Sequence, residues 1–177
     1  MIYLMRHGAD DPDRLGGWSR NGLTEEGRRQ VHTAKESLFD KGIEKLYASD
    51  LPRASETAEI VAEFLHLPIR YTPQFRETNN GLLAGMLKTE ARERYPSLRW
   101  SSLEWTQAFP GGESPEMFFE RTGKAWSSFK AAVQNETVLL VTHGGVINAI
   151  LCIENKVPFT NREMHYRIPC AGIISVG

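Results

Sequence analysis

Residues 1–8 read Met-Ile-Tyr-Leu-Met-Arg-His-Gly, and the interpretation of the remaining chain depends on this stretch. Residues 2–5 form an unbroken apolar run, which is typical of a strand buried on both faces of a helix-covered sheet. A cation, an imidazole and a glycine follow at once as Arg6, His7 and Gly8. Open α/β sheets bind ligands just beyond the carboxyl ends of their strands. The stretch therefore predicts a strand that presents Arg6 and His7 to a ligand, with Gly8 allowing close backbone approach.

The composition is that of an ordinary globular chain. It has 177 residues, 41% hydrophobic and 24% charged, which fits one domain with a substantial core. The formal net charge of -1 does not favour nucleic-acid binding or attraction to a membrane surface. No apolar stretch reaches membrane-spanning length and no signal peptide is recognisable, so we expect a cytoplasmic protein without a membrane partner. Cys152 and Cys170 lack metal-site spacing and are expected to be reduced thiols.

Apolar patterning alternates between strands and helices along the chain. After a loop over residues 9–22, Thr24 is predicted to cap the first helix, and Ser114 followed by Pro115 to begin the longest one. Continuous apolar runs predict strands over residues 2–5 and 138–142, and shorter strands are predicted over residues 43–48, 69–72 and 172–176. Helical spacing predicts helices over residues 24–41, 54–65, 114–133 and 146–153. This order predicts an α/β fold of three layers, α/β/α, around a largely parallel central sheet.

The pattern loosens between residues 79 and 112. One or two helical turns are predicted near the middle of this segment, followed by Trp100, Trp105 and Phe109 without a clear period. Our interpretation is a small insertion of helical turns and loop, roughly 79–112, that caps the sheet of a single domain spanning residues 1–177. An ordinary long loop is the alternative. We refer to residues 79–112 as the cap segment.

Polar clusters follow four of the predicted strands. Arg6 and His7 come after the first strand, Arg53 after the second, Glu77 after the third and His143 after the fourth. Because the carboxyl ends of parallel strands share one edge of a sheet, these side chains should converge. Arg53 would also lie in the first turn of its helix, where free N–H groups favour an anion. The sequence therefore predicts a phosphate-sized anion site with a nucleophile and a proton donor.

Five blocks of sequence lie in a recognisable order. They are Arg6-His7-Gly8, Leu-Thr-Glu-Glu-Gly at 23–27, Ser-Asp-Leu-Pro-Arg-Ala-Ser-Glu-Thr-Ala at 49–58, Pro-Gly-Gly-Glu-Ser at 110–114 and Val-Thr-His-Gly-Gly at 141–145. Together with Glu77 between the third and fourth blocks, this set resembles the histidine phosphatase superfamily, the phosphoglycerate-mutase-like proteins. The likeness covers nearly the whole chain, and five ordered blocks make a specific signal.

The resemblance implies a role for each side chain. His7 would attack phosphorus and form a phosphohistidine, while Glu77 would protonate the leaving alcohol and later take a proton from water. The phosphoryl oxygens would be held by Arg6, Arg53, His143 and Gly144. No metal or other cofactor is implied, because the cationic side chains do what magnesium does elsewhere. Metal binding by His7 and His143 is an alternative, but no carboxylate or cysteine has suitable spacing with them.

The loop after the first strand departs from the family pattern. Where the family often has threonine and asparagine near the phosphate, this chain has Asp10 and Asp13. Acidic groups beside a phosphate are unfavourable. We therefore expect Asp10 and Asp13 to point away from the site or to act at a distance.

The assignment of the proton donor has an alternative of its own. Glu77 could be a solvated loop residue, paired with Arg76 or with nothing. Three other acids lie in or near the cap segment and could then supply the proton: Glu104, Glu113 and Glu116.

The residues and the resemblance together predict a metal-independent phosphatase that acts on a small phosphorylated metabolite. A phosphoglycerate mutase is the first alternative, although the mutases of this superfamily are longer. A phosphohistidine protein phosphatase is the second, although its compact members lack a capping insertion. A non-catalytic phosphate-binding module is the third alternative, and it belongs to a different functional class.

Overall fold

The computed structural model describes all 177 residues, which form five strands and five helices; one helix lies between most successive strands, and two lie between the third and fourth strands. The strands are β1 (Ile2–Arg6), β2 (Lys45–Ala48), β3 (Ile69–Tyr71), β4 (Val138–Thr142) and β5 (Ile173–Val176). The helices are α1 (Glu25–Ala34), α2 (Pro52–Leu65), α3 (Lys88–Arg94), α4 (Pro115–Ala132) and α5 (Gly144–Glu154). Short 3₁₀ turns lie at Lys35–Leu38, Pro73–Phe75, Gly81–Leu83 and Trp100–Ser102.

The five strands form one sheet in the order β3-β2-β4-β1-β5. The pairs β2–β3, β2–β4 and β1–β4 are parallel, and β5 runs antiparallel to β1. Each parallel neighbour is reached through a connection that contains a helix, as parallel pairing requires. Residues 155–172 return from α5 to β5 without a helix, so the last strand can lie antiparallel at the edge. The predicted α/β fold with a largely parallel sheet is confirmed.

Strand β4 lies between two apolar cores. Its Val138 and Leu140 belong to one core with side chains of α4 and α5, and its Leu139 and Val141 belong to a second core with α1 and α2. A strand covered by helices on both faces has no solvent face, which explains why four consecutive positions of β4 are apolar. The three-layer arrangement is therefore confirmed as well.

Side-chain caps set the start of two helices as the sequence predicts. The Thr24 hydroxyl accepts a hydrogen bond from the amide of Gly27 at 3.0 Å and so caps α1. The Ser114 hydroxyl accepts one from the amide of Met117 at 3.1 Å, with Pro115 as the first residue of α4. Each cap satisfies an amide that has no partner within the helix.

Several element boundaries differ from the prediction by one or more residues, and the largest difference is at the end of α1. Helix α1 ends at Ala34 and the chain continues as the 3₁₀ turn Lys35–Leu38, whereas the sequence predicted one helix to residue 41. Such tightening is common at helix ends, and Leu38 remains fully buried in the core. Strand β2 begins at Lys45, two residues later than predicted.

Gly8 serves packing against α1, a role that was not predicted from the sequence; its role in approaching a ligand stays a prediction. A Cβ on Gly8 would lie 2.4 Å from the carbonyl oxygen of Gly27 and 2.9 Å from a methyl group of Val31. A Cβ on Gly27 would in turn lie 2.1 Å from the carbonyl oxygen of Ala9. The two glycines therefore allow the turn after β1 to lie directly on the first helix.

The cap segment has a small apolar cluster of its own. Its buried members are Leu83, Ala91, Leu103 and Phe109. Between this segment and the site edge of the sheet lies a cavity of about 670 Å³. None of the five helices combines the length with the apolar composition that crossing a membrane requires.

Candidate active site

The register of the sheet brings the two motif histidines together. Arg6 at the end of β1 pairs with Thr142 at the end of β4, so the next residues, His7 and His143, are neighbours. Their ring centroids are 5.1 Å apart and both side chains are buried. The convergence predicted from the strand ends is thus present in the structure.

His7 is held as a neutral imidazole with one defined tautomer. Its Nδ1 lies 2.7 Å from the carbonyl oxygen of Gly8, which can only accept, so Nδ1 carries the hydrogen. Its Nε2 accepts a hydrogen bond from Nε of Arg53 at 3.2 Å. Burial, followed by the charge of Arg53, lowers the pKa of His7 to about 3. The lone pair that a nucleophile needs is therefore on Nε2 at neutral pH.

The Arg53 guanidinium is fixed by the loop that follows β1. The side chain is 1% exposed and donates to the carbonyl oxygen of Gly17 at 2.8 Å and to the hydroxyl of Ser19 at 3.4 Å. Sequence reasoning missed both partners. The Gly16-Gly17 pair indicates only a turn. Every residue has a backbone carbonyl, so residue type does not show which carbonyl will accept a hydrogen bond.

His143 presents an N–H group. The Ser49 hydroxyl accepts from the amide of Leu51 at 3.4 Å, so its own hydrogen can go to Nε2 of His143, 2.8 Å away. The hydrogen of His143 is then on Nδ1, which is buried without a hydrogen-bond partner. Burial lowers the pKa of His143 well below its ordinary value, and the charge of Arg53 adds to this effect. His143 is therefore a neutral donor in the resting site.

Arg6 also has a buried donor without a partner. One terminal nitrogen donates to the carbonyl oxygen of Ile168 at 2.8 Å, while Nε has no acceptor. Gly144 begins α5 beside it, since a Cβ there would lie 3.4 Å from that Nε. Buried donors are nearly always satisfied in proteins, and an oxyanion is a ligand that would supply the missing acceptor. Arg6, Arg53 and His143 thus form a set of donors suited to an anion.

Glu77 lines the cavity next to α5, and we call this part of the cavity its inner end. Its Oε2 accepts from the amide of Gly145 at 3.2 Å, and its Oε1 from the amide of Thr78 at 3.1 Å. Arg76 instead pairs with Asp50, with 2.6 Å between Nε and Oδ1. The alternative in which Glu77 pairs with Arg76 is therefore wrong.

Two side chains that the sequence did not single out hold the backbone of Glu77. The indole N–H of Trp18 donates to the Glu77 carbonyl oxygen at 2.7 Å, and a terminal nitrogen of Arg121 donates to the same oxygen at 3.3 Å. Arg121 is itself held by Glu113, with 2.7 Å between Nε and Oε1. These contacts join parts of the chain that are far apart in sequence.

The other candidate acids lie elsewhere. Glu113 is bound to Arg121, Glu104 is exposed and pairs with Arg162 at 2.9 Å, and neither they nor Glu116 line the cavity. Of the aromatic residues in the cap segment, Tyr95, Trp100 and Phe109 line the cavity, whereas Trp105 does not.

The expectation that Asp10 points away from the site is wrong. Its Oδ2 lies 3.5 Å from Nε of Arg53, the same nitrogen that donates to His7. A buried guanidinium loses hydration and favours a nearby counter-charge, which the partly exposed Asp10 supplies. Asp13, in contrast, is exposed, as expected.

Comparison with known proteins agrees with this geometry. The family model of the histidine phosphatase superfamily (branch 1) matches residues 2–175. The chain belongs to this superfamily. It is 32% identical over 153 residues to the uncharacterized phosphatase PhoE of Bacillus subtilis (strain 168), covering 85% of this chain and 75% of PhoE. Recognition of the family from its five sequence blocks is therefore confirmed.

Phosphatases and mutases are both among the similar histidine phosphatase superfamily members. A probable phosphoglycerate mutase, GpmB of Erwinia tasmaniensis, is 29% identical over 172 residues, covering 94% of this chain and 80% of GpmB. The structure of the mycobacterial glucosyl-3-phosphoglycerate phosphatase is 28% identical with a TM-score of 0.81, covering 97% of this chain and 87% of that one. Membership of the superfamily is therefore compatible with two reactions, hydrolysis by a phosphatase and phosphoryl transfer by a mutase.

The buried neutral histidines make stability depend on pH. In the unfolded chain His7 has an ordinary pKa of 6.5, whereas in the fold its pKa is about 3. Between these values the unfolded state binds the extra proton, so the free energy of unfolding falls as the pH falls. For His7 alone, the loss between pH 7.5 and pH 5 is about 2 kcal/mol. Denaturant unfolding of the protein and of His7→Gln at both pH values measures it.

The His7→Gln variant should lose about 2 kcal/mol less than the unmodified protein over this interval. His32→Gln is the matched control, because His32 is exposed and its replacement should leave the pH dependence unchanged. Equal pH dependence in His7→Gln and in the unmodified protein would show that His7 is not held neutral by the fold.

Asp10 is expected to weaken phosphate binding. A carboxylate beside a bound dianion at a partly exposed site costs on the order of 1 kcal/mol. Asp10→Asn should therefore bind inorganic phosphate about fivefold more tightly, as measured by calorimetry. Asp13→Asn, in the same loop but exposed, should bind phosphate as the unmodified protein does. Weaker binding by Asp10→Asn would instead mean that Asp10 mainly holds Arg53 in place.

Proposed function

We propose that this chain is a phosphatase that hydrolyses a small phosphate monoester through a phosphohistidine at His7, without a metal ion. The observation that carries the proposal is the neutral His7, whose Nε2 lone pair lies within a buried set of guanidinium and imidazole donors. These donors can offset the negative charge of a phosphoryl group, which is the main demand of phosphoryl transfer. Glu77, across the inner end of the cavity, supplies a carboxyl group for proton transfer.

In the first step, Nε2 of His7 attacks phosphorus and the bond from phosphorus to the alcohol oxygen breaks. Protonated Glu77 gives its proton to that oxygen, so an alcohol leaves and a carboxylate remains. The hydrogen on Nδ1 of His7 stays bound to the Gly8 carbonyl, which stabilises the positive charge of the phosphorylated ring. The phosphoryl oxygens are held by Arg6, Arg53 and His143.

In the second step, water attacks phosphorus from the side that the alcohol has left. The Glu77 carboxylate takes a proton from this water, the bond from phosphorus to Nε2 breaks, and inorganic phosphate is formed. His7 is again neutral and Glu77 is again protonated. One monoester and one water thus give one alcohol and one phosphate.

A mutase reaction is the second candidate, because GpmB is among the similar proteins. A mutase must keep water from the phosphohistidine until the phosphoryl group is transferred back to the alcohol. Incubation with 3-phosphoglycerate, with and without 2,3-bisphosphoglycerate, separates the two: a phosphatase releases phosphate and a mutase makes the 2-phospho isomer. A protein substrate is disfavoured, since the cap segment lines the cavity beside Glu77.

Hydrolysis of para-nitrophenyl phosphate by the purified protein in excess EDTA tests the proposal directly. We expect turnover that is unchanged by added magnesium and inhibited by vanadate, which resembles the transferring phosphoryl group. Activity that disappears with the chelator and returns with a divalent ion would contradict metal independence. Phosphate binding without any hydrolysis would indicate a binding module.

A further inference from the structure

The cavity extends well beyond the residues that handle the phosphoryl group. Only its inner end is formed by Glu77 and Gly145. The rest is lined by the cap segment, by the loop after β1, by residues 159–167 and by Thr78, Phe118 and Asn148. A volume of about 670 Å³ lies within the range for ligands of drug size, so there is room for a leaving alcohol of many atoms.

Part of the outer wall is apolar and aromatic. Six of its side chains are Leu83, Tyr95, Trp100, Phe109, Phe118 and Phe159. Trp100 is stacked on Phe109 at 6.3 Å between ring centroids and meets Phe118 edge-on at 5.6 Å. A wall of this kind favours a ring or an apolar chain over a fully hydroxylated alcohol.

The same outer part carries an excess of positive charge. Its cationic side chains are Lys88, Arg92, Arg99, Arg162 and Arg167, and Glu163 is the only acid besides Glu77. The chain as a whole has a net charge of -1, so this local excess is not a consequence of overall composition. Such a patch raises the local concentration of anions.

Three of these cations have no partner in the protein. Lys88 donates to a backbone carbonyl at 2.6 Å, and Arg162 pairs with a glutamate of the cap segment. Arg92, Arg99 and Arg167 form neither a hydrogen bond nor an ion pair with another side chain, although all three line the cavity. Arg6 and Arg53 already serve the phosphoryl group, so these guanidinium groups are available for a second anion.

We propose that the leaving alcohol of the substrate carries a ring or apolar chain and, remote from the ester, a second oxyanion held by Arg92, Arg99 and Arg167. This inference rests on the proposed function, since it concerns the alcohol half of the monoester. A carboxylate and a second phosphate share the required chemistry, because a guanidinium binds either one through paired N–H groups.

Binding of non-hydrolysable phosphonates tests the proposal without relying on turnover. The set is methylphosphonate, benzylphosphonate, and benzylphosphonates that carry a para carboxylate, carboxamide or second phosphonomethyl group. Benzylphosphonate should bind more tightly than methylphosphonate, because the ring is buried against the aromatic wall. The carboxylate should bind at least about tenfold more tightly than the carboxamide of the same shape. Comparing the affinities of the bisphosphonate and the carboxylate shows which of the two anions the second site prefers.

Single substitutions locate the second anion. Arg92→Gln, Arg99→Gln and Arg167→Gln should each reduce the advantage of the carboxylate over the carboxamide by about threefold or more, with little change for benzylphosphonate. Arg94→Gln is the matched control, because Arg94 is on the same helix as Arg92 but pairs with Glu90 and does not line the cavity. Arg94→Gln should keep the full advantage in affinity of the carboxylate over the carboxamide.

Equal affinity for the carboxylate and the carboxamide would overturn the second-anion site, and equal affinity for methylphosphonate and benzylphosphonate would overturn the apolar part. Neither result would affect the phosphatase proposal if aryl phosphates are hydrolysed. Conversely, a clear carboxylate preference in a protein that hydrolyses no ester would support the second-anion site and refute the phosphatase activity.

Discussion

Replacing His7 by alanine is expected to lower turnover of any phosphate monoester by at least about 10⁴-fold, because loss of a covalent nucleophile removes both chemical steps at once. No other group can take its place. The nearest imidazole is His143, whose Nε2 is engaged by Ser49 and whose Nδ1 is buried without a hydrogen-bond partner. The residual rate would reflect the anion site acting on water alone.

Quenching the enzyme and a ³²P-labelled substrate in alkaline denaturant checks this result. The unmodified protein should retain label that is stable to base and labile to acid, and peptide mapping should place it on His7. His7→Ala should retain none, whereas the exposed His32→Ala should retain as much label as the unmodified protein. Label on a carboxylate, serine or cysteine would contradict the histidine mechanism.

Replacing Glu77 by glutamine is expected to have the second-largest effect, a loss on the order of 10²–10⁴-fold against an alkyl phosphate. An alkoxide leaves phosphorus poorly unless it is protonated. Glutamine keeps the length of the side chain, and its single oxygen can accept from one of the two amides, Thr78 or Gly145, but it has no proton to transfer. The backbone contacts from Trp18 and Arg121 should survive, so the fold around position 77 is retained.

The diagnostic measurement is kcat on two substrates. Para-nitrophenolate leaves without much protonation, so the loss for para-nitrophenyl phosphate should be far smaller than for an alkyl phosphate. Glu104→Gln is the control, because Glu104 is exposed, pairs with Arg162 and does not line the cavity. Equal losses on both substrates would make Glu77 a structural or binding residue.

Much of this protein could be predicted from local patterns in the sequence. Strand β4 could be recognised because a strand between two helical layers is apolar on both faces. His7 and His143 could be placed together because each directly follows such a strand, and parallel strands end at one edge. Thr24 could be recognised as a helix cap because capping depends on residues only three positions apart. Each of these features depends on residues that lie close together in the sequence, so it can be predicted without the tertiary structure.

Only the tertiary structure decided the orientation and charge of the site. Asp10 turns toward Arg53, against expectation, because burial of the guanidinium requires a counter-charge that no local pattern displays. The tautomer of His7 follows from a backbone carbonyl on one side and Arg53, 46 residues away, on the other. The hydrogen bonds to the Glu77 carbonyl oxygen come from Trp18 and Arg121, which are 59 and 44 residues away in the sequence. Backbone acceptors are the same for every residue type, and desolvation depends on how distant segments pack.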